Sequence, residues 1–324
     1  MNQLASIRKP VSEELSEFNN LFAKTIKSKV PLLNIITNYV LKRKGKQIRP
    51  LLVFLTAKTI GEVKHSTYVA ASLVELLHTA SLIHDDVVDD SNERRGFLSI
   101  NALWKSKIAV LLGDYLLAKG LLISVENKEY QILEIVSDAV REMSEGELLQ
   151  IQKSRKLNLN EAEYFEIIRK KTATLLAACT ASGARSVTDD LTIVDKMKEF
   201  GMKIGIAFQI KDDLFDYEKT SLTGKPKGND IQEKKLTLPL ISSFSKASAG
   251  KRRGILKLIN KKSPNRLIYN KVYDFVHENG GLDYARKLMY KYRDEALEIL
   301  QTLPPSDSLK SLQLLVNFIV ERKN

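Results

Sequence analysis

From Glu75 to Gly96 the chain reads ELLHTASLIHDDVVDDSNERRG, an apolar run with helical spacing that ends in acid and then in base. Asp85, Asp86 and Asp89 form a D-D-x-x-D set, with Asp90 beside them and Arg94 and Arg95 just beyond. Residues four apart share a helix face, so Asp85 and Asp89 point the same way and Asp86 flanks them. Carboxylates held this close repel one another and need either cations or full solvation. Hard oxygen donors of this kind suit Mg²⁺, which keeps several waters and bridges to substrate phosphates. Taken alone, the stretch reads equally well as a solvated acidic helix end.

The rest of the chain is also helical in pattern. None of the eight prolines lies between Leu51 and Lys225, and proline breaks helix interiors, so the gap predicts long helices. Apolar residues recur at helical spacing, and no Val/Ile/Thr run bounded by turn residues argues for a sheet. The expected architecture is all-α, and residues 1–324 read as one domain with no fixed-period repeat and no clear linker. Predicted helices include Leu51–Ile60, Ser66–Val88, Asn101–Ser124, Lys128–Lys153 and Leu191–Tyr217. Asn160 with Glu163 three residues on reads as a capping box opening another.

Composition is that of an ordinary globular protein, 44% hydrophobic and 28% charged in 324 residues. A net charge of +12 permits anionic partners. The basic runs Lys251–Arg253 and Lys261–Lys262 are short and lack interleaved aromatics, which argues against nucleic acid. They permit peripheral contact with anionic lipid. The single Cys179, set among small apolar residues, excludes an internal disulfide and reads as core, which points to the cytoplasm. No secretory signal pattern is visible, and apolar stretches such as LLVFLTA from Leu51 are too short to span a bilayer.

A second acidic set settles the first. Asp212, Asp213 and Asp216 repeat the D-D-x-x-D spacing at the end of another apolar helix. Two such sets suggest carboxylate clusters facing one cavity, with metal ions between them holding a polyanion. Basic residues flank both: Lys46 and Arg49 in KGKQIRP, Arg94 and Arg95, Lys171 with Thr172, and Lys225, Lys227, Lys234 and Lys235. Arg grips phosphate through a planar fork and Lys as a mobile point charge.

The motifs GKQIRP, LLHTASLIHDDVVDDSNERRG, KTATL, FQIKDDLFDY and GKPKGNDIQEKKLTLP, in this order, resemble those of the trans-isoprenyl diphosphate synthases, with the long-chain octaprenyl and heptaprenyl branch nearest. The resemblance implies an all-α bundle of long helices around a central cavity, commonly a homodimer, and a Mg²⁺-dependent prenyltransferase joining isopentenyl diphosphate to an allylic diphosphate such as farnesyl diphosphate. It implies that Asp85, Asp86 and Asp89, with Asp212 and Asp216 supported by Asp213, bind Mg²⁺. Arg94, Lys171, Lys225 and Lys235 would hold the allylic diphosphate, supported by Gln209 and Thr172. Lys46, Arg49, His78 and Arg95 would hold isopentenyl diphosphate. His84 reads as structural.

Three positions depart from the pattern: Lys44 and Lys234 stand where Gly is common, and Phe97-Leu98 replaces Lys-Pro. Chain length is a question of geometry. Leu77, Ala80 and Ser81 lie on the helix beneath Asp85, each turn about 5.4 Å deeper. Short-chain synthases block this region with aromatic side chains; Ala80 and Ser81 are small, so the resemblance implies an open tunnel and a product of roughly six to eight isoprene units. Competing readings are a class I terpene cyclase, against which Asp212, Asp213 and Asp216 argue, and a non-catalytic partner subunit, against which both acidic sets argue.

Overall fold

A computed structural model describes residues 3–42, 45–94, 96–217, 231, 234–261 and 266–322. The helices are α1 (Gln3–Arg8), α2 (Ser12–Thr25), α3 (Pro31–Lys42), α4 (Ile48–Ile60), α5 (His65–Val88), α6 (Ile100–Glu126), α7 (Tyr130–Lys156), α8 (Glu161–Ile168), α9 (Thr174–Arg185), α10 (Leu191–Phe215), α11 (Leu238–Lys246), α12 (Ala249–Ile259), α13 (Arg266–Glu278), α14 (Gly281–Gln301) and α15 (Asp307–Glu321). A π-turn, Arg169–Ala173, joins α8 to α9. The all-α expectation holds, and the glycine pair Gly280–Gly281 and the proline pair Pro304–Pro305, poor residues for a helix interior, separate α13, α14 and α15.

One detail differs from the helical reading. Glu93–Arg94 (β1) and Phe97–Leu98 (β2) pair antiparallel, Glu93 opposite Leu98 and Arg94 opposite Phe97. Strands of two residues are too short to show alternation in a sequence. Gly96, at φ +76°, supplies the left-handed turn. The Phe97-Leu98 departure falls on β2, where the Tyr39 hydroxyl donates to the Leu98 carbonyl at 2.6 Å.

Contacts group the chain into two compact units. The first comprises Met1–Val140, Ala178–Lys198 and Leu303–Leu312. Its core is α4, buried on every side from Leu51 to Ala57, as expected of a helix that is apolar all round. Phe54 meets Phe18 and Tyr68 edge-on, with ring centroids 5.9 and 5.1 Å apart. α5 packs along α6. A Cβ on Gly113 would lie 2.1 Å from His84 Nε2, and one on Gly120 would lie 3.2 Å from Leu73 Cδ1. Both α5 and α6 are long and apolar enough to cross a membrane by length and composition, which corrects the estimate made from apolar runs alone. α5 is largely buried, whereas α6 leaves Leu103, Val110, Leu111, Leu121, Leu122 and Val125 exposed.

The second unit comprises Arg141–Ala177, Glu199–Thr302 and Gln313–Asn324. Phe200 is fully buried there, α11 packs on α14, and Lys203 pairs with Glu295 at 2.6 Å. The Asn160 capping box forms as predicted: Asn160 Oδ1 accepts from Glu163 N at 2.9 Å, and Glu163 Oε2 accepts from Asn160 N at 3.0 Å.

Candidate active site

The first acidic set closes α5. Asp89 N donates to the Asp85 carbonyl at 2.8 Å, so the helical turn continues through the set. Asp85 is half-buried, Asp89 is exposed, and Asp86 is buried. Asp86 lines a mainly apolar cavity of about 130 Å³ together with His78, Glu75, Tyr39 and Phe97. His78 therefore shares a cavity with Asp86. Gln47 lines the same cavity. Of the other residues expected to hold isopentenyl diphosphate, Lys46 is exposed ahead of α4 and Arg49 is half-buried in its first turn. Arg95 lies outside the described residues; of Arg94 the backbone, in β1, is described.

His84 behaves as a structural residue. Its Nε2 lies 3.2 Å from the Val110 carbonyl and 3.5 Å from Asp114 Oδ1, tying the end of α5 to α6. Leu77 and Ala80 are buried, and Ser81 is half-buried with its hydroxyl donating to the His78 carbonyl at 2.9 Å. Cys179 is fully buried, and burial pushes its thiol up to about 12.

The second unit holds a more polar cavity, about 180 Å³, lined by Lys153, Lys171, Lys235, Gln150, Gln209 and Thr172, among others. The π-turn carries Lys171 and Thr172 into it; such wide turns recur at functional sites. Its three cations face acids on α7: Arg169 Nη1 lies 2.8 Å from Glu142 Oε2, Lys170 Nζ lies 2.7 Å from Glu145 Oε2, and Lys171 pairs with Glu147. Lys171 Nζ also lies 3.3 Å from Gln150 Oε1. Gly146 permits this approach, because a Cβ there would lie 2.7 Å from Lys171 N.

A relay of hydrogen bonds continues to α10. Thr172 Oγ1 donates to Gln209 Oε1 at 2.8 Å, and Gln209 Nε2 donates to Asp213 Oδ1 at 2.9 Å. The Tyr164 hydroxyl donates to Asp213 Oδ2 at 2.6 Å. Asp213 is buried, and burial pushes its carboxyl well above the usual range; the donors from Tyr164 and Gln209 pull it partly back. Asp213 is thus the buried member of its set. Asp212 and Asp216 are half-buried. Asp212 Oδ1 accepts from Arg322 Nη2 at 2.5 Å, and the Arg322 guanidinium stacks 4.1 Å from the Phe208 ring. Lys225 lies outside the described residues.

Sequence reasoning missed Tyr164, Glu147, Lys153 and Arg322. Glu147 and Lys153 lie on α7, but nothing in that stretch of sequence names their partners. Arg322 is 110 positions from Asp212, a distance no local pattern bridges.

Lysines, amides and hydroxyls converge on one cavity of the second unit, and carboxylates end two long helices, a set of groups suited to a polyanion and a divalent ion. The family model for polyprenyl synthetase matches residues 30–276, and the chain belongs to that family. It is 34% identical over 316 residues, 97% of this chain and 96% of the relative, to the all-trans-nonaprenyl-diphosphate synthase (geranyl-diphosphate specific) of Rhodobacter capsulatus. Its fold is similar to a polyprenyl synthase from Caulobacter crescentus CB15 complexed with calcium and isoprenyl diphosphate: TM-score 0.91, 32% identity, 99% of this chain and 98% of that one. It is also similar to a geranylgeranyl pyrophosphate synthase from Bacteroides thetaiotaomicron: TM-score 0.85, 36% identity, 99% and 100% covered. The chain is a prenyltransferase, a trans-prenyl diphosphate synthase.

Proposed function

We propose that this chain is a Mg²⁺-dependent synthase that adds isopentenyl diphosphate head-to-tail onto an allylic diphosphate, farnesyl diphosphate for preference, to give a product of roughly six to eight isoprene units. The observation that carries the anion-binding half of this reading is the cavity holding Lys153, Lys171 and Lys235. Small residues at Ala80 and Ser81 support the long product.

The donor set fits a divalent ion. Both acidic sets close long helices, α5 and α10, where the negative end of the helix dipole meets carboxylates. A bound cation relieves that repulsion. Asp85, Asp86 and Asp89 would hold one ion, and Asp212 and Asp216 another. Among the described residues no three acids, imidazoles or thiols close into a ready-made shell. Mg²⁺ suits such a site, because it fills its remaining positions with water and substrate oxygens. The metal would supply neutralisation of charge on the leaving diphosphate.

The chain's own residues do the rest. Lys171 and Lys235 hold the allylic diphosphate as its C–O bond breaks, in a pocket that keeps them aimed at the developing charge. Thr172 and Gln209 fix the π-turn against α10. Lys46, Arg49 and His78 hold isopentenyl diphosphate, whose double bond forms the new C–C bond. The proton then lost passes to the departing diphosphate. Apolar walls exclude the water that would quench the allylic cation.

The exposed apolar residues of α6 support a homodimer with that face covered by a second copy. We also assign the enzyme to the cytoplasm, with peripheral membrane contact at product release. A short-chain product is the second reading. It is favoured by the burial of Leu77 and Ala80 and by the similarity to a geranylgeranyl pyrophosphate synthase. Sizing products from Mg²⁺, isopentenyl diphosphate and farnesyl diphosphate separates the two. The long-chain reading expects Ala80→Phe to shorten the product; a wild-type product of geranylgeranyl length would sink it.

A further inference from the structure

The cavity of the second unit contains a lysine that the sequence motifs do not assign. Lys153 lies on α7, one turn beyond Gln150, so Gln150, Lys153 and Ser154 share one helix face, and all three line the cavity with Lys171 and Lys235. The acid among its lining residues is Asp213, whose two carboxylate oxygens already accept from Tyr164 and Gln209. The other polar lining is amide and hydroxyl. This lining suits a polyanion, which would compete with Glu147 for Lys171 and with Glu163 for Lys153.

Lys153 is held at this rim by Glu163, whose Oε1 accepts from its ammonium, while Oε2 of the same carboxylate caps α8 through Asn160 N. About a quarter of each side chain is exposed. The pair is therefore partly screened, and such pairs are weak. A diphosphate carries more charge and more acceptor oxygens than one carboxylate, and a lysine ammonium on its four-carbon stem can turn to it.

We propose that Lys153 is a third diphosphate-binding lysine of this cavity, parked on Glu163 until the anion arrives. The inference rests on the reading of the cavity as the allylic diphosphate site. It adds to that reading a residue that contacts substrate and a resting partner for it.

The test is titration calorimetry of the full chain with inorganic diphosphate and Mg²⁺, comparing wild type, Lys153→Gln, Lys153→Arg, Glu163→Gln and Lys171→Gln. Losing one charge-assisted contact should weaken diphosphate binding about tenfold in Lys153→Gln. Lys153→Arg should retain it. Glu163→Gln should bind as well as wild type or better, because it removes the charged resting partner while its amide oxygen can still accept from Asn160 N. Wild-type affinity in Lys153→Gln would overturn the inference. So would equal losses in Lys153→Gln and Glu163→Gln, which would make Lys153 a support for α8. If Lys171→Gln also bound as wild type, the cavity itself would not be the diphosphate site, and the broader reading would fail with it.

Discussion

Replacing Gly205 by alanine tests whether the π-turn is held by α10. A Cβ on Gly205 would lie 2.5 Å from Ala173 Cα, 2.7 Å from Ala173 Cβ and 3.1 Å from the Ala173 carbonyl oxygen. Two of these atoms are backbone, so the clash is relieved only by moving the turn that carries Lys171 and Thr172. Overpacking of this kind costs about 1–3 kcal/mol. Alanine returns about 1 kcal/mol of helix propensity. The net expectation is a loss of up to about 2 kcal/mol in thermal or urea unfolding. Gly254 on α12 supplies the control, since nothing lies within 4 Å of its Cβ position. Gly254→Ala should gain about 0.5–1 kcal/mol from propensity alone. The same substitution thus has opposite signs at two helix positions. Activity should follow the geometry: Gly205→Ala should lower kcat/KM by loosening the Thr172–Gln209 bond, and Gly254→Ala should not. A Gly205→Ala protein as stable and active as wild type would refute the reasoning.

Three further outcomes follow from single contacts. Tyr164→Phe removes one donor from buried Asp213 and should cost about 1.5–3 kcal/mol in unfolding free energy at pH 8. Burial already lifts the Asp213 carboxyl above its unfolded value, so its protonation favours the folded state; the deficit of Tyr164→Phe should shrink as pH falls, and a pH-independent deficit would count against the ionised hydrogen bond. Cys179, with its thiol raised to about 12, should resist a thiol reagent in the native protein at pH 8 and react on unfolding; prompt native labelling would contradict its burial. Lys234 sits at φ +56°, so Lys234→Val should destabilise by about 1–2 kcal/mol while Lys234→Gly should not, measured by thermal melting.

Much of this was legible in the sequence because its signals are local. The proline gap and apolar spacing located α5, α6, α7 and α10 to within two or three residues, and Asn160 with Glu163 marked the start of α8. The two acidic sets stood out because their spacing repeats at helix ends. Lys234 was visible as an oddity, a lysine where glycine is common, and its left-handed backbone gives that departure a physical meaning. What stayed hidden depends on distant pairing. Tyr164 is 49 positions from Asp213 and Arg322 is 110 from Asp212, and no periodicity connects them. The π-turn was hidden too, since RKKTA has ordinary helix-forming composition and the glycines that approach it, Gly146 of α7 and Gly205 of α10, lie far from it in sequence. The α6 surface was misjudged for a related reason. Its apolar run is interrupted by Lys105, Lys107, Asp114 and Lys119, so scanning for unbroken stretches missed that the helix placed at Asn101–Ser124 is long and apolar enough to cross a membrane.

The most direct measurement counts diphosphate released against isopentenyl units incorporated from labelled isopentenyl diphosphate and farnesyl diphosphate, with Mg²⁺ and then with a chelator. The account predicts one diphosphate for each unit added, a linear polyprenyl diphosphate product, and loss of both signals on chelation and in Asp85→Asn and Asp212→Asn. Release of diphosphate without incorporation, a cyclic hydrocarbon product, or undiminished turnover in either variant would contradict it.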